Sequence, residues 1–327
     1  MPDHDHIPHE ARDRQETLDA VREIGAPFPP SDEFELHAGD SRTLWGDALR
    51  RILRNRLAVA AVIWLMLMVL LAVSADLWVP QNFGSPTKID TTTIVKARLI
   101  PPSLGHPFGT DDLGRDIFAR VIYGARISLA VGILATAISI IIGLILGAMS
   151  GYYGGLIDSA IMRMADVFFA FPYILFVVAL IAVLGKGFIN VFIAIGILGW
   201  ASIARVFRSS ILSVKENDYV DAARALGASD LRIMARHIMP NAVAPIIVYS
   251  TMSIGGAILT EAALSFLGMG VQPPTPAWGL MLNDAQNFME TAPWMMIWPG
   301  LAILTTVLAF VLLGDGLRDA LDVKMRD

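Results

Sequence analysis

Six stretches of this 327-residue chain are apolar and long enough to cross a bilayer, and few folds are open to such a chain. About 20 apolar residues in a helix span the hydrocarbon core, where every backbone polar group must be bonded within its own segment. The first run, 57–79 (LAVAAVIWLMLMVLLAVSADLWV), directly follows Arg50, Arg51, Arg54 and Arg56. A basic flank of this kind holds the N-terminal end of a span in the cytoplasm. The other runs lie at about 127–149, 167–184, 189–207, 242–268 and 295–314. Counting alternately from the first predicts an all-α integral membrane protein of six transmembrane helices with both termini cytoplasmic. A hydrophobic content of 55% agrees with this class.

The connections support that orientation, with one exception. Arg205 and Arg208 close the fourth span on the inside, Arg318, Lys324 and Arg326 end the chain inside, and the outer loop 271–293 contains no Lys or Arg. GYYGGLIDSAIMRMAD, 151–166, reads as a short inside segment, and Gly185-Lys186-Gly187 as a tight outer turn. The exception is the first outer loop, 80–125, where Lys88, Lys96, Arg98, Arg115 and Arg120 precede Arg126 and run against the positive-inside rule. In its last part Thr110 or Asp111 can cap a helix with Ile117, Val121 and Ala125 on one face, expected to lie in the outer interface. Gly143, Gly147 and Gly151 recur every fourth residue, a pattern that lets a neighbouring helix approach closely.

The expected organisation is therefore a flexible acidic cytoplasmic tail (1–45), a first span (46–80) and an extracytoplasmic loop with an interfacial helix (81–126). A five-helix core (127–314) containing the loop 208–241 follows, and then a C-terminal tail (315–327). The tail over 1–45 carries eleven acidic residues against four arginines, which accounts for the net charge of −5. Its His4, His6 and His9 lack zinc-type spacing and read as solvated, and a short helix is expected around Arg12–Ile24.

With no cysteine, the chain has no thiol nucleophile, thiolate metal site or disulfide framework. It lacks a GxxxxGK[ST] phosphate loop, an HExxH pair and a GxSxG elbow, so neither nucleotide hydrolysis nor these hydrolase chemistries are expected of it. Ser128, Ser139 and Ser250 have no in-span His partner. No metal or cofactor is expected on the chain, and no nucleic acid as a partner. Glu261, in the fifth run, is a candidate for a pore contact or for a structural in-span carboxylate, the second being favoured.

The polar island NDYVDAARALGASDLRIMARHIMPNAV, 217–243, stands between two spans on the expected cytoplasmic side. Tyr219, Ala222, Ala223 and Leu226 form one stripe of a short amphipathic helix, Gly227 ends it, and Ser229 or Asp230 can cap a second helix that Pro240 closes. A helix–turn–helix this small needs a partner surface for its stripe. A channel or secondary transporter working alone, or a membrane scaffold, would need no such stripe.

Asp221-Ala222-Ala223, three residues, Gly227 and then Ile238-Met239-Pro240 resemble the EAA loop of ABC-importer permeases, with Asp221 for Glu and Met239 for Leu. HPFGTDDLGRDIFARVIYGARISL, ARALGASDLRIMARHIMPN, LTEAALSFLGMGVQPPTPAWG and GDGLRDALD are similar to the C-type permease of dipeptide, oligopeptide and nickel importers. The resemblance covers roughly 45–322, and Val323 stands where that subfamily usually has proline. It implies the type I importer permease fold in a bacterial inner membrane. It also implies a homologous second permease, two ATP-binding subunits that use ATP and Mg, and an extracytoplasmic solute-binding protein. In that scheme Tyr219, Asp221, Ala222, Ala223, Arg224, Leu226, Gly227 and Pro240 couple the chain to the ATPase subunits. The segments 106–126 and 271–293 would meet the binding protein.

Overall fold

Apolar runs that must satisfy their backbone internally become helices, and the computed structural model, which describes residues 44–87 and 94–321, is helical throughout apart from an isolated bridge between Thr110 and Asp116. The chain divides into residues 1–46 and a body formed by 47–327. The expected acidic tail, its histidines and the helix around Arg12–Ile24 lie outside the described residues, except for Leu44 and Trp45 at its end.

Helix α1 (Leu44–Arg54) carries the basic residues and stops at Asn55, whose side chain accepts from the amides of Leu57 (3.1 Å) and Ala58 (3.2 Å) to cap α2 (Arg56–Phe83). There follow α3 (Ile117–Tyr153), α4 (Gly155–Ala170), α5 (Tyr173–Leu184), α6 (Phe188–Lys215) and α7 (Asp218–Ala225). Helix α8 runs through Asp230–Ile233, a π segment Met234–Ile238 and Met239–Ala242, and leads to α9 (Ala244–Phe266), α10 (Trp278–Ala285) and α11 (Trp294–Leu321). Five of these, α2, α3, α6, α9 and α11, are long and apolar enough to span, and α4 with α5, bent by 93° at the break between them, are long and apolar enough only when the pair is taken as one span. Along α2, Met66, Leu70, Val73 and Leu77 recur on one exposed face, the pattern of a helix turned toward lipid.

Several boundaries differ from the sequence expectation, among them the end of α6, which runs to Lys215 where 207 was expected. The run 167–184 is not one helix: its first four residues end α4, most of which lies in the segment expected as an inside connection, where Asp158, Arg163 and Asp166 disguise it, and Tyr173–Leu184 forms α5. The break falls at Phe171, which is extended (φ −105°, ψ 143°) ahead of Pro172. Proline disfavours helical geometry in the residue before it and supplies no amide to the turn. Next, α3 starts at Ile117 with Asp116 as its cap, the carboxylate accepting from the Ala119 amide at 2.8 Å. Thr110 and Asp111 fold the preceding loop instead. The Thr110 hydroxyl donates to the Ala97 carbonyl (2.6 Å), and Asp111 accepts from the amides of Leu113 (2.9 Å) and Arg115 (2.8 Å). Residues 117–126 thus continue unbroken into the span, and no separate interfacial helix ends at 126. Finally, α11 continues past 314 as far as Leu321, with Gly314 and Gly316 buried.

The glycine repeat lies in the seam between α3 and α6. A Cβ added to Gly143 would stand 2.7 Å from Ile203, one on Gly147 2.7 Å from the Ala204 carbonyl oxygen, and one on Gly151 2.8 Å from Ile211. Such distances exclude any side chain, so the two helices pack backbone to side chain over about two turns. Gly147→Val is therefore expected to force the pair apart and to cost about 1–3 kcal/mol, read as a lower unfolding temperature in detergent. An unchanged temperature would mean that the seam is not under this constraint.

Candidate coupling site

Helix α7 sits on the ends of α3 and α6. Val220 is fully buried and Ala223 half-buried, in a cluster with Tyr152, Phe207, Ile211, Ile233 and Ile238. The expected stripe is thus divided, Ala223 turning inward while Tyr219, Ala222 and Leu226 stay exposed, Leu226 at 88%. Leu231, 75% exposed at the start of α8, adds a further apolar side chain to the uncovered surface of the island. Asp221 and Arg224 are both exposed and pair with each other at 2.8 Å, an arrangement that contributes at most about 0.5 kcal/mol to the helix.

Gly227 ends α7 in the left-handed region (φ +79°). Its amide donates to the Arg224 carbonyl (3.0 Å) and that of Ala228 to the Ala223 carbonyl (3.1 Å), the paired bonds of a Schellman stop. Ser229 then sits extended at the start of α8 without a side-chain cap bond. Asp230 instead accepts a hydrogen bond from the Tyr152 hydroxyl at 2.6 Å, and Lys215 donates to the Tyr152 carbonyl at 2.6 Å. Tyr152 thereby ties the island to the end of α3 and the end of α6 at once. Pro240 does not close the island: it is exposed within the helical turn Met239–Ala242, and the helix break comes at Val243. The π segment just before it widens the helix where proline cannot donate.

Beside the island, Asp158 of α4 receives both guanidinium arms of Arg208 (2.5 and 2.6 Å) and the Ser150 hydroxyl. This joins α3, α4 and α6 in one charged knot under the island. Sequence reading did not single out Tyr152 or Asp158, and offered Asp230 only as a possible helix cap. The available signal was an isolated charge or aromatic residue at a span end, which carries no partner information in one dimension.

At the opposite end of α3 the loops 97–116 and 271–294 come together. Trp294 donates to the Thr110 carbonyl (3.3 Å), and Phe108 stacks on Trp298 with ring centres 3.9 Å apart. Arg115 and Arg120 are buried among acids: Arg115 meets Asp111 at 2.7 Å, and Arg120 meets Asp284 at 3.4 Å and Asp111 at 3.5 Å. Arg126 pairs with Asp76 at 2.9 Å. Three of the cations that ran against the positive-inside rule are therefore matched by carboxylates. Burial raises the pKa of Asp284 above the ordinary carboxylate value despite Arg120 and Arg115, and burial likewise raises Asp112 and Asp116. His106 faces Asp116 at 2.8 Å.

Glu261 is fully buried and held by two serines, Ser265 donating at 2.7 Å and Ser128 at 3.1 Å. Ser265 in turn accepts from the Val271 amide (3.2 Å) and Ser128 from that of Trp278 (3.4 Å). Through these bonds the carboxylate links α9 to α3 and to the loop that follows α9.

Residues 139–327 match the family described as binding-protein-dependent transport system inner membrane component, and 43–102 match the N-terminal TM domain of oligopeptide transport permease C. The chain belongs to this permease family. The permease is 43% identical over 298 residues to the dipeptide transport system permease protein DppC of Alkalihalophilus pseudofirmus, covering 91% of this chain and 94% of that protein. It is 46% identical over 285 residues to the glutathione transport system permease protein GsiD of Pectobacterium atrosepticum, covering 87% and 93%. Among solved structures it resembles the MetNI methionine ABC transporter in an inward-facing conformation, with a TM-score of 0.51 and 18% identity over 62% of this chain and 96% of that one. An amino acid ABC transporter with histidines gives 0.50 at 20% identity, over 62% and 94%. These two likenesses show the fold of an ABC importer permease.

Proposed function

We propose that this permease forms half of the translocation pore of an ATP-driven, binding-protein-dependent importer, paired with a homologous permease and driven by two ATP-binding subunits. One observation carries the reading: Tyr219, Ala222 and Leu226 are exposed on a helix whose other face is seated on the spans. An uncovered apolar strip beside a rigid seat suits a partner's cleft, and the family supplies that partner as an ATPase subunit. In this reading the chain binds no nucleotide; ATP and Mg act in the partner subunits. In this reading the island lies on the cytoplasmic side of a bacterial inner membrane together with both termini, and the pairing of Arg115, Arg120 and Arg126 with carboxylates supports that orientation. The relatives' names make di- or oligopeptides, or glutathione-like solutes, the substrates of this reading. When the ATPases close, force enters at α7, passes through Val220 and the Tyr152–Asp230 bond, and moves α3 and α6 together along their glycine seam. A carrier working alone leaves the exposed strip without a use, and Glu261, closed off by serines, is unsuited to ion coupling.

Co-expression of the chain with its partner permease and ATPase subunits tests this reading. Leu226→Glu is expected to lose most of the co-purifying ATPase while the permease pair stays in the membrane. Undiminished co-purification would remove α7 from the interface. On the opposite face, the 271–279 stretch is exposed only around Gln272–Pro274, while Trp278 is buried. Deleting the whole stretch would therefore unseat the core, and Gln272→Trp is the better probe of binding-protein docking. It is expected to weaken capture of the loaded binding protein several-fold, and unchanged capture would move the docking surface elsewhere.

A further inference from the structure

Only Asn55 separates α1 from the first span, and its extended backbone (φ −83°, ψ 104°) keeps α1 from being a continuation of that span. The span starts at Arg56, and a span starts at headgroup level, so α1 leaves from that level. By helical spacing Leu49, Ile52 and Leu53 share one side of α1, and Arg50, Arg51 and Arg54 the other. Leu49 and Leu53 are exposed, Leu53 at 64%. Arg50, Arg54 and Arg56 are exposed as well, and none of the three has a carboxylate partner among the described residues. Arg205, Arg208 and Arg224, by contrast, are paired with Asp166, Asp158 and Asp221. The junction itself is fixed: a Cβ on Gly316 would stand 2.5 Å from that of Ala58, so the first turn of α2 is held against α11.

We propose that α1 is an anchor helix for anionic phospholipid, its leucine side entering the acyl boundary while Arg50, Arg54 and Arg56 hold the phosphate groups of the surrounding headgroups. The two sides of the helix suit that surface: leucines that water solvates poorly, and unmatched guanidinium groups that bind phosphate through two parallel N–H donors. Four arginines between Arg50 and Arg56, directly beside a span, form the kind of basic cluster that recognises anionic headgroups. A zwitterionic headgroup also carries phosphate, but it brings a cation that the arginines meet unfavourably, so lipids of net negative charge are selected. A second copy of the chain seated on the leucines would bring two basic clusters together and leave both unmatched. The inference stands apart from the importer reading, since it concerns how the chain meets the bilayer and holds for either direction of insertion.

The chain has no cysteine, so Leu53→Cys carries a single nitroxide label without background. The full-length permease is placed in nanodiscs of phosphatidylcholine alone, or of phosphatidylcholine mixed with phosphatidylglycerol, and the collisions of the label with oxygen and with a water-soluble nickel complex are compared. With phosphatidylglycerol present the label is expected to sit in the oxygen-rich acyl boundary, protected from nickel. Omitting phosphatidylglycerol, or combining Arg50→Gln with Arg54→Gln, is expected to raise nickel access by about fivefold or more, the attraction of a basic residue to an anionic surface being of that order. A label at Leu77→Cys, on the lipid-facing stripe of α2, is expected to stay unchanged throughout, which separates release of α1 from failure to insert. The lipid comparison keeps the arginines intact, so it decides the question even where the charge variant fails to insert. Equal nickel access in the two membranes overturns the proposal, whether α1 then lies in water or in a surface blind to charge. Protection that grows with the number of copies per disc assigns the leucines to a second copy. Protection that is lost on deleting the acidic segment 2–43, and not on omitting phosphatidylglycerol, assigns the arginines to that segment. Either result overturns the lipid site.

Discussion

Gly227→Val is expected to reduce ATP-dependent uptake by about tenfold or more while the permease remains in the membrane at normal abundance, because the variant strains the stop of α7 and touches nothing in the spans. The glycine sits at φ +79°, where a β-branched residue costs about 1–3 kcal/mol, and no atom lies within 4 Å of where its Cβ would be. The penalty therefore falls on the turn that sets α7 against α8, and not on packing. To escape it the Schellman bonds must open and Leu226 and Leu231 lose their relative placement. The measurement pairs uptake with ATP hydrolysis stimulated by the loaded binding protein: the first is expected to fall and the second to lose its dependence on substrate. Gly227→Asn is the companion variant, since asparagine tolerates the left-handed region, and it is expected to keep most of the activity. Normal uptake and normal stimulation in Gly227→Val would show that the bend does not transmit force.

Arg120→Met is expected to destabilise the permease by about 3–5 kcal/mol, the largest stability loss anticipated for a single residue. Arg120 is 2% exposed between Asp111 and Asp284 and also donates to the Pro86 carbonyl at 3.3 Å. Methionine keeps the side-chain bulk but leaves two carboxylates sharing Arg115, which stands 3.8 Å from Asp284. The second carboxylate must then be buried without a counter-charge or take up a proton. Thermal unfolding in detergent reads the loss, and the double variant Arg120→Met with Asp284→Asn is expected to recover a good part of it. Additive losses in the double variant would mean that the two side chains do not depend on each other.

Each wrong boundary has a local cause. The sequence expectation put the cap at Thr110 or Asp111; both are taken up by the folding of the preceding loop, which leaves Asp116 as the cap and which helical spacing does not reveal. The first arm of the third span was masked by three charges, and two of those charges are neutralised by partners on α6, Asp158 by Arg208 and Asp166 by Arg205 at 2.7 Å. The sequence expectation took 167–184 as one span and did not use Pro172, although a proline within an apolar run interrupts its helix. Within the island, the stripe and the stop at Gly227 followed from helical spacing and glycine chemistry. The inward turn of Ala223 did not, because it depends on Tyr152 and Ile211 lying beneath it.

Properties set by a residue and its near neighbours could be read directly from the amino-acid order: which segments enter the bilayer, where a helix must stop, which island stays polar, and which motif points to an ABC importer. These rest on transfer free energy, backbone sterics and local periodicity, each of which acts over a few turns of chain. Pairings between distant residues could not be read in this way. Ser128 meets Glu261, Tyr152 meets Asp230, and Gly147 admits Ala204. In each case the meaning of one side chain is set by what another helix brings within a few ångströms of it, and that distance exists only once the spans have packed.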